Sequence, residues 1–252
     1  MFKLEYIYFS FDRRDATPLL CNCSLHIPRG AMLAIMGLNG MGKTTLLKIM
    51  SGTLKPLSGS VHIDGANAKG LSNKTLAKSV SHVPQDFPTD FPFTVFDFVM
   101  MGRFVWQRGL FNSREDRDKV HAALQNLKLD HLKDRPISQL SGGERQRTLL
   151  ARALVQDSRA ILLDEPSNHL DIKNKTGILN IIRDQNQKHQ KTIIAVMHDF
   201  YDVKKYFDQV LFIKDGQIKY YGPVVQGFEK ALLKDVFEMD VTEALSFCKS
   251  LG

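Results

Sequence analysis

The chain has 252 residues, of which 43% are hydrophobic and 24% charged, a balance that excludes a disordered chain and supplies one large core or two smaller ones. Its formal net charge of +7 suits nucleic acid, an anionic lipid surface or a small anionic ligand, and the scatter of the lysines and arginines along the chain selects none of them. The uncharged stretch from Gly30 to Gly42 is well short of the roughly 18 to 20 apolar residues of a membrane span, and Lys3 and Glu5 break the apolar N-terminus where a secretory signal needs an unbroken run.

In chain order, short β-branched and apolar runs alternate with glycine turns and helical patterns, the sign of an α/β domain on a largely parallel sheet. The spacing predicts strands at Met32–Met36, Val61–Ile63, Ser81–Val83, Ile161–Leu163, Ile193–Met197 and Val210–Ile213. A proline- and aromatic-rich stretch, Asp86 to Phe93, opens helical material that runs from Thr94 to about Val155 and reads as an insertion in the α/β core. Beyond Gly222 the pattern is helical again. Cys21, Cys23 and Cys248 lack the paired spacing of a zinc site and read as reduced packing residues.

The first predicted strand runs straight into Gly37-Leu38-Asn39-Gly40-Met41-Gly42-Lys43-Thr44-Thr45, which fits G-x-x-x-x-G-K-[ST] and opens a helical run. Glycines let the loop's N–H groups turn toward phosphate, the helix N-terminus adds a favourable dipole, Lys43 neutralises β/γ oxygens and the Thr44 hydroxyl suits Mg²⁺. The acidic half of such a site is Asp164-Glu165, at the end of the apolar run Ala-Ile-Leu-Leu163. Asp164 is expected to hold the metal, and Glu165 to orient or deprotonate the attacking water. Read locally, Ser141-x-x-Glu144 is a capping box that starts a helix.

Leu140-Ser141-Gly142-Gly143-Glu144-Arg145-Gln146-Arg147 also resembles the signature sequence of ATP-binding cassette (ABC) proteins, and the resemblance extends from about residue 1 to 240. It implies a P-loop NTPase (RecA-like) core of α/β class with a mostly parallel sheet, N-terminal antiparallel β strands and an inserted α-helical signature subdomain. The corresponding division is a single domain over 1–252, with residues 1–86 and 159–222 as the nucleotide-binding core, 87–158 as the helical subdomain and 223–252 as a C-terminal appendage. The ligands implied are ATP and Mg²⁺, the metal held by Thr44, Gln85 and Asp164. Gln85 and His198 match the family's loop glutamine and switch histidine, Ser167-Asn-His-Leu170-Asp171 the loop that faces the dimer partner, and Ser141, Gly142 and Gly143 would grip the nucleotide of the opposite subunit. Three departures stand out. Phe11, displaced by the extra residues Asp12 to Thr17, takes the adenine-stacking place usually held by tyrosine, with Tyr8 as competitor; Met41 replaces a small loop residue; Ser167 replaces threonine.

The wording Val83-Pro-Gln85, Phe93-Thr-Val95, Gly102-Arg103 and Glu165-Pro-Ser-Asn-His-Leu-Asp-Ile172 is similar to ATPases of importers for iron-siderophore complexes, haem and cobalamin. That branch implies a head-to-tail dimer with a second copy, transmembrane permease subunits, an indirectly linked substrate-binding protein, a peripheral place on the cytoplasmic face of the inner membrane, and no nucleic acid. The aromatic stretch Phe87 to Phe98 is where a permease helix would dock, with subdomain core as the other reading. A zinc or manganese importer, an exporter and a non-transport ABC ATPase remain open alternatives.

Overall fold

The computed structural model describes residues 1–12, 18–85, 87–88, 92–107, 113–168 and 170–238. The first half comprises strands β1 (Phe2–Phe9), β2 (Leu20–Ile27) and β3 (Met32–Met36), helix α1 (Lys43–Met50), strands β4 (Ser58–Ile63) and β5 (Ala66–Asn67), helix α2 (Asn73–Ser79) and strand β6 (Val80–Val83). Helices α3 (Val95–Met100), α4 (Arg114–Asn126) and α5 (Gly142–Val155) follow, then strand β7 (Ala160–Asp164), helix α6 (Ile172–His189), strand β8 (Thr192–Val196) and helix α7 (Phe200–Tyr206). Strands β9 (Gln209–Lys214) and β10 (Gln217–Pro223) and helices α8 (Val224–Gly227) and α9 (Lys230–Phe237) complete it.

The apolar runs become the centre of a six-stranded sheet in the order β10-β9-β3-β8-β7-β6, parallel throughout except for the β10-β9 pair. Parallel strands covered on both faces need no polar alternation. Along β3, Met32, Ala34 and Met36 enter one core and Leu33 and Ile35 the other. The first core carries helices α3 to α6. The second is closed by α1 and a four-stranded antiparallel sheet, β2-β1-β4-β5. Full burial of one Leu or Ile contributes roughly 1.5–3 kcal/mol, so these two layers dominate the stability.

The predicted strands appear where expected, with one shift: β8 spans Thr192–Val196, so Met197 lies past the ladder although its N–H still donates to Ile35 O at 3.0 Å. The N-terminal strands have no bounds legible in the sequence because Tyr6 (φ 52°) and Asn22 (φ 55°) interrupt the period-two pattern with register shifts.

Helix α5 ties the helical segment to the sheet. Gln156, just past its end, donates Nε2 to Ala77 O (2.6 Å) and Val80 O (2.9 Å), and the Trp106 indole donates to Gln156 O at 2.8 Å. At the C-terminal side, Phe228 and Phe237 pack against Phe200 with ring centroids 5.5 and 5.0 Å apart; of the appendage expected over 223–252, the part beyond residue 238 lies outside the described residues. Cys23 is buried with its thiol 3.2 Å from Gly216 O, and Cys21 is half-buried; Cys248 falls outside the described residues.

Candidate active site

The glycine loop is shaped by two close approaches. A Cβ on Gly37 would lie 2.3 Å from Ile213 O, so the loop crosses the β9 backbone where only glycine fits. Gly42 takes the left-handed conformation (φ 87°) as the residue that precedes α1. No side chain caps α1 and no acid occupies its first turn, which leaves the N–H groups and the positive dipole end to an anion. The Lys43 ammonium is buried and donates to Gly37 O (2.9 Å) and Leu38 O (2.8 Å). Burial pulls its pKa below the ordinary lysine value, against the opposing pull of Glu165 and Asp164.

Facing the loop, the Thr44 hydroxyl donates to Asp164 Oδ1 at 2.9 Å. Burial raises the Asp164 pKa, the Thr44 bond lowers it in part, and Glu165 adds to the rise. Glu165 sits one residue past β7 with φ 51°, and three side chains converge on its carboxylate. Gln85 Nε2 donates to Oε2 at 3.0 Å, Asn168 Nδ2 donates to the same oxygen at 2.6 Å, and His198 Nε2 lies 2.7 Å from Oε1.

The two halves line one cleft of about 530 Å³. Asn39, Gly40, Gly42, Lys43, Thr44 and Thr45 form the loop side, and Gln85, Glu165, Asn168 and His198 the acidic side. Leu19 completes the lining, and the sequence pattern alone places neither Leu19 nor Asn168 there. Asn168 had a signal in its spacing, three residues after Glu165 in a turn; Leu19, on the approach to β2, had none.

Several expected binding residues lie elsewhere. Asp164 sits beneath Thr44, and Gly37 and Leu38 support Lys43 through their carbonyls. The Met41 sulfur accepts from the Asp215 N–H at 3.4 Å, so this side chain turns toward the β9-β10 bend and the cleft rim is not widened by it. Phe11 is 74% exposed and stands edge-on to Phe9 at 5.0 Å, while Tyr8 is half-buried in β1. Neither lines the cleft. Ser141, Gly142 and Gly143 open α5 away from it: Ser141 N donates to Glu144 Oε2 at 2.8 Å and Glu144 N to Ser141 Oγ at 3.4 Å, the expected capping box. The Ser141 hydroxyl bond, then its amide, hold the Glu144 carboxyl below its usual pKa.

Thr44, Asp164 and Gln85 offer hard oxygen donors beside a phosphate-binding loop, a set that fits Mg²⁺ in its preference for a few protein oxygens plus phosphate. A strong cation, amide donors and a carboxylate held by Gln85, Asn168 and His198 suit phosphoryl transfer to water.

Comparison with known proteins agrees with this chemistry. The family model described as ABC transporter matches residues 20–168, more than half of the chain. An uncharacterised ABC transporter ATP-binding protein of Methanocaldococcus jannaschii is 38% identical over 219 residues, 86% of this chain and 83% of that protein. The petrobactin import ATP-binding protein of Bacillus subtilis is 35% identical over 218 residues, 86% of each. Among solved structures, a candidate metal-chelate type ABC transporter in an inward-facing conformation superposes with a TM-score of 0.81 at 28% identity, covering 95% of this chain and 89% of that one. A dimeric ATP-binding cassette in a post-hydrolysis state with ADP and Pi also gives 0.81 at 28% identity, covering 89% of this chain and 99% of that one.

Proposed function

The chain belongs to the ABC transporter family as an ATP-hydrolysing cassette, and on that premise we propose that it energises uptake of a metal chelate of the iron-siderophore, haem or cobalamin type through a partner permease. The observation that carries the hydrolytic part is the convergence of Gln85, Asn168 and His198 on Glu165, in the cleft that also exposes Lys43 and Thr44. The cargo class is supported by the siderophore-importer wording around Gln85 and Glu165 and by relatives named for achromobactin, petrobactin and iron-hydroxamate transport.

In this reading the α1 N–H groups and Lys43 hold the β and γ phosphates. Thr44, Asp164 and Gln85 would hold Mg²⁺, which would supply charge neutralisation for the phosphates. Glu165 accepts a proton from the attacking water, and the donors on its two oxygens keep the carboxylate aimed. His198 serves the γ-phosphate side. Adenine would extend beyond the cleft lining to stack on Phe11, 74% exposed, with Tyr8 of β1 as competitor. Two copies pair head to tail, so that Ser141, Gly142 and Gly143 of one cover the nucleotide of the other at the N-terminus of α5, where the capping box leaves the Gly142 and Gly143 amides to face it. The pair sits on the cytoplasmic membrane face under the permease, whose short helix docks by the exposed Phe93 and the half-buried Phe87; Phe98, 2% exposed, belongs to the subdomain core instead. Among the described residues no helix is long and apolar enough to cross a membrane; in this reading the attachment is through that partner.

The test is MgATP hydrolysis by the full chain in membranes with its permease. Glu165→Gln is expected to lose about 100-fold or more in kcat while still binding ATP, and an unchanged rate in that variant would sink the role. Uptake of a labelled ferric siderophore, haem or cobalamin by the same vesicles tests the cargo class; zinc, manganese or outward transport alone would replace it.

A further inference from the structure

The first turn of α6 is held at two neighbouring residues. Asn174 Nδ2 donates to Asp171 Oδ2 at 2.7 Å, and its Oδ1 accepts from Arg147 Nη1 of α5 at 2.5 Å. Gly143 leaves the room this needs, since a Cβ there would stand 3.2 Å from Asn174 Nδ2. This fixes the turn against the signature helix. Lys175 reaches the opposite way, across to the start of α7, with Nζ 2.6 Å from Asp199 Oδ2 and 2.6 Å from Asp202 Oδ2.

The two carboxylates are not equivalent. Asp199 Oδ1 accepts the N–H groups of Tyr201 (2.9 Å) and Asp202 (3.3 Å), so Asp199 is the cap of α7 and offers its second oxygen to Lys175. Asp202 is 4% exposed; its Oδ2 meets Lys175 as an ion pair but, among the described residues, takes no well-formed hydrogen bond. Lys175 therefore neutralises two acids in one helical turn, one of them buried, whose repulsion would otherwise open that turn.

What the turn carries is His198. It immediately precedes Asp199, in a link of three residues, 197–199, between β8 and α7. Its side chain is 40% exposed, and among the described residues Glu165 is its hydrogen-bond partner. One end of the link is fixed by the sheet through the Met197 N–H to Ile35 O bond. The other is fixed by Asp199.

We propose that Lys175 is a positioning residue for ATP hydrolysis: by clamping Asp199 and Asp202 it sets the loop that holds His198 at bonding distance from Glu165. The inference rests on the roles proposed above for Glu165 and His198. Lys175 touches neither nucleotide nor water in this scheme. Its effect is on geometry, where displacement by about 1 Å lowers turnover by up to about 100-fold.

The experiment compares Lys175→Met, Lys175→Arg, Asp202→Asn and the double variant Lys175→Met/Asp202→Asn in the full chain, reading kcat, KM for MgATP and Tm. Lys175→Met is expected to lower kcat about 10-fold or more with KM changed less than about twofold, and Lys175→Arg to restore most of it. The double variant removes the buried charge along with its partner, so Tm recovers while kcat stays low. Recovery of kcat together with Tm would reduce Lys175 to charge balance and overturn the proposal, as would a Lys175→Met kcat within about twofold of the parent. Glu165→Gln in parallel separates the levels: if it also keeps full kcat, the site reading fails and takes this inference with it, and if it loses kcat where Lys175→Met does not, only this inference fails.

Discussion

Replacing Arg103 by Met should be among the most damaging changes outside the nucleotide cleft. Arg103 and Asp116 form a buried ion pair, Nε to Oδ1 at 2.7 Å, with side chains 5% and 9% exposed, and Arg103 Nη1 also donates to Val155 O at 2.7 Å, satisfying a carbonyl at the end of α5. The arginine can lie so close because Gly102 precedes it: a Cβ there would meet Arg152 O at 2.3 Å. Removing one partner of a buried pair costs about 3–5 kcal/mol because the other is left uncompensated, and the loss of the Val155 bond adds about 1 kcal/mol. The Ser113 hydroxyl, 2.8 Å from Asp116 Oδ2, remains and offsets part of this, so about 3–5 kcal/mol is the expected total. The pH dependence checks the cause. Burial raises the Asp116 pKa, but bonds from Arg103 and Ser113 outweigh it and hold the carboxyl below its ordinary value. Without Arg103 the balance reverses, the folded pKa rises above the unfolded one, and the variant regains stability as pH falls through that raised value. Urea unfolding should therefore show a smaller deficit at pH 5 than at pH 7.5, and Arg103→Met/Asp116→Leu should recover much of the loss at both. A cost below about 1 kcal/mol at pH 7.5, or a deficit independent of pH, would refute the reasoning.

Two further outcomes follow from single residues. Burial first, then the charges of Lys48 and Arg152, lower the His82 pKa to about 4. Between that value and the unfolded one the unfolded chain binds the extra proton, so stability falls as pH drops below about 6.5, by up to roughly 3 kcal/mol at pH 4; urea midpoints of His82→Phe should lose less over that range than those of the parent, and equal losses would be inconsistent with a neutral, half-buried His82. Gly37→Ala places a Cβ 2.3 Å from the Ile213 carbonyl, so the loop must leave β9; ATP affinity measured by titration calorimetry should fall about 10-fold or more, and unchanged affinity would contradict the close approach.

How much of this was legible depended on whether neighbours in sequence were also neighbours in space. The loop from Gly37 to Thr45 and the pair Asp164-Glu165 read directly, because each is one strand end with a fixed local geometry. The central strands read equally well, since a strand buried on both faces shows as an unbroken apolar run. β1 and β2 did not, because positive φ at Tyr6 and Asn22 breaks their alternation. The side chains that orient Glu165 come from three separate turns, and of these Asn168 lies in the stretch whose resemblance points only to a dimer-facing loop. Lys175 and Asp202 lie on two different helices and belong to no motif. Their pairing depends on how α6 and α7 pack, which neither helix encodes alone.

Glu165 carries a further consequence of its position. A residue that ends a buried strand and must turn its carboxylate back toward Gln85, Asn168 and His198 has few backbone options, and Glu165 adopts φ 51°. For a residue with a Cβ that conformation costs about 1–2 kcal/mol, offset here by three hydrogen bonds worth about 1 kcal/mol each, more where the acceptor is charged. Truncation to Ala removes all three bonds and keeps the strain; truncation to Gly removes the same bonds and relieves it. Glu165→Gly should therefore be more stable than Glu165→Ala by about 1 kcal/mol, the reverse of the order at an ordinary strand or helix position, where Gly is worse by roughly 0.5–1 kcal/mol. Thermal unfolding of the two variants side by side decides it. If the alanine variant is the more stable, the strain is absent and the aim of the carboxylate rests on its hydrogen bonds alone; if the glycine variant is, the backbone itself is bent to present Glu165 to the cleft.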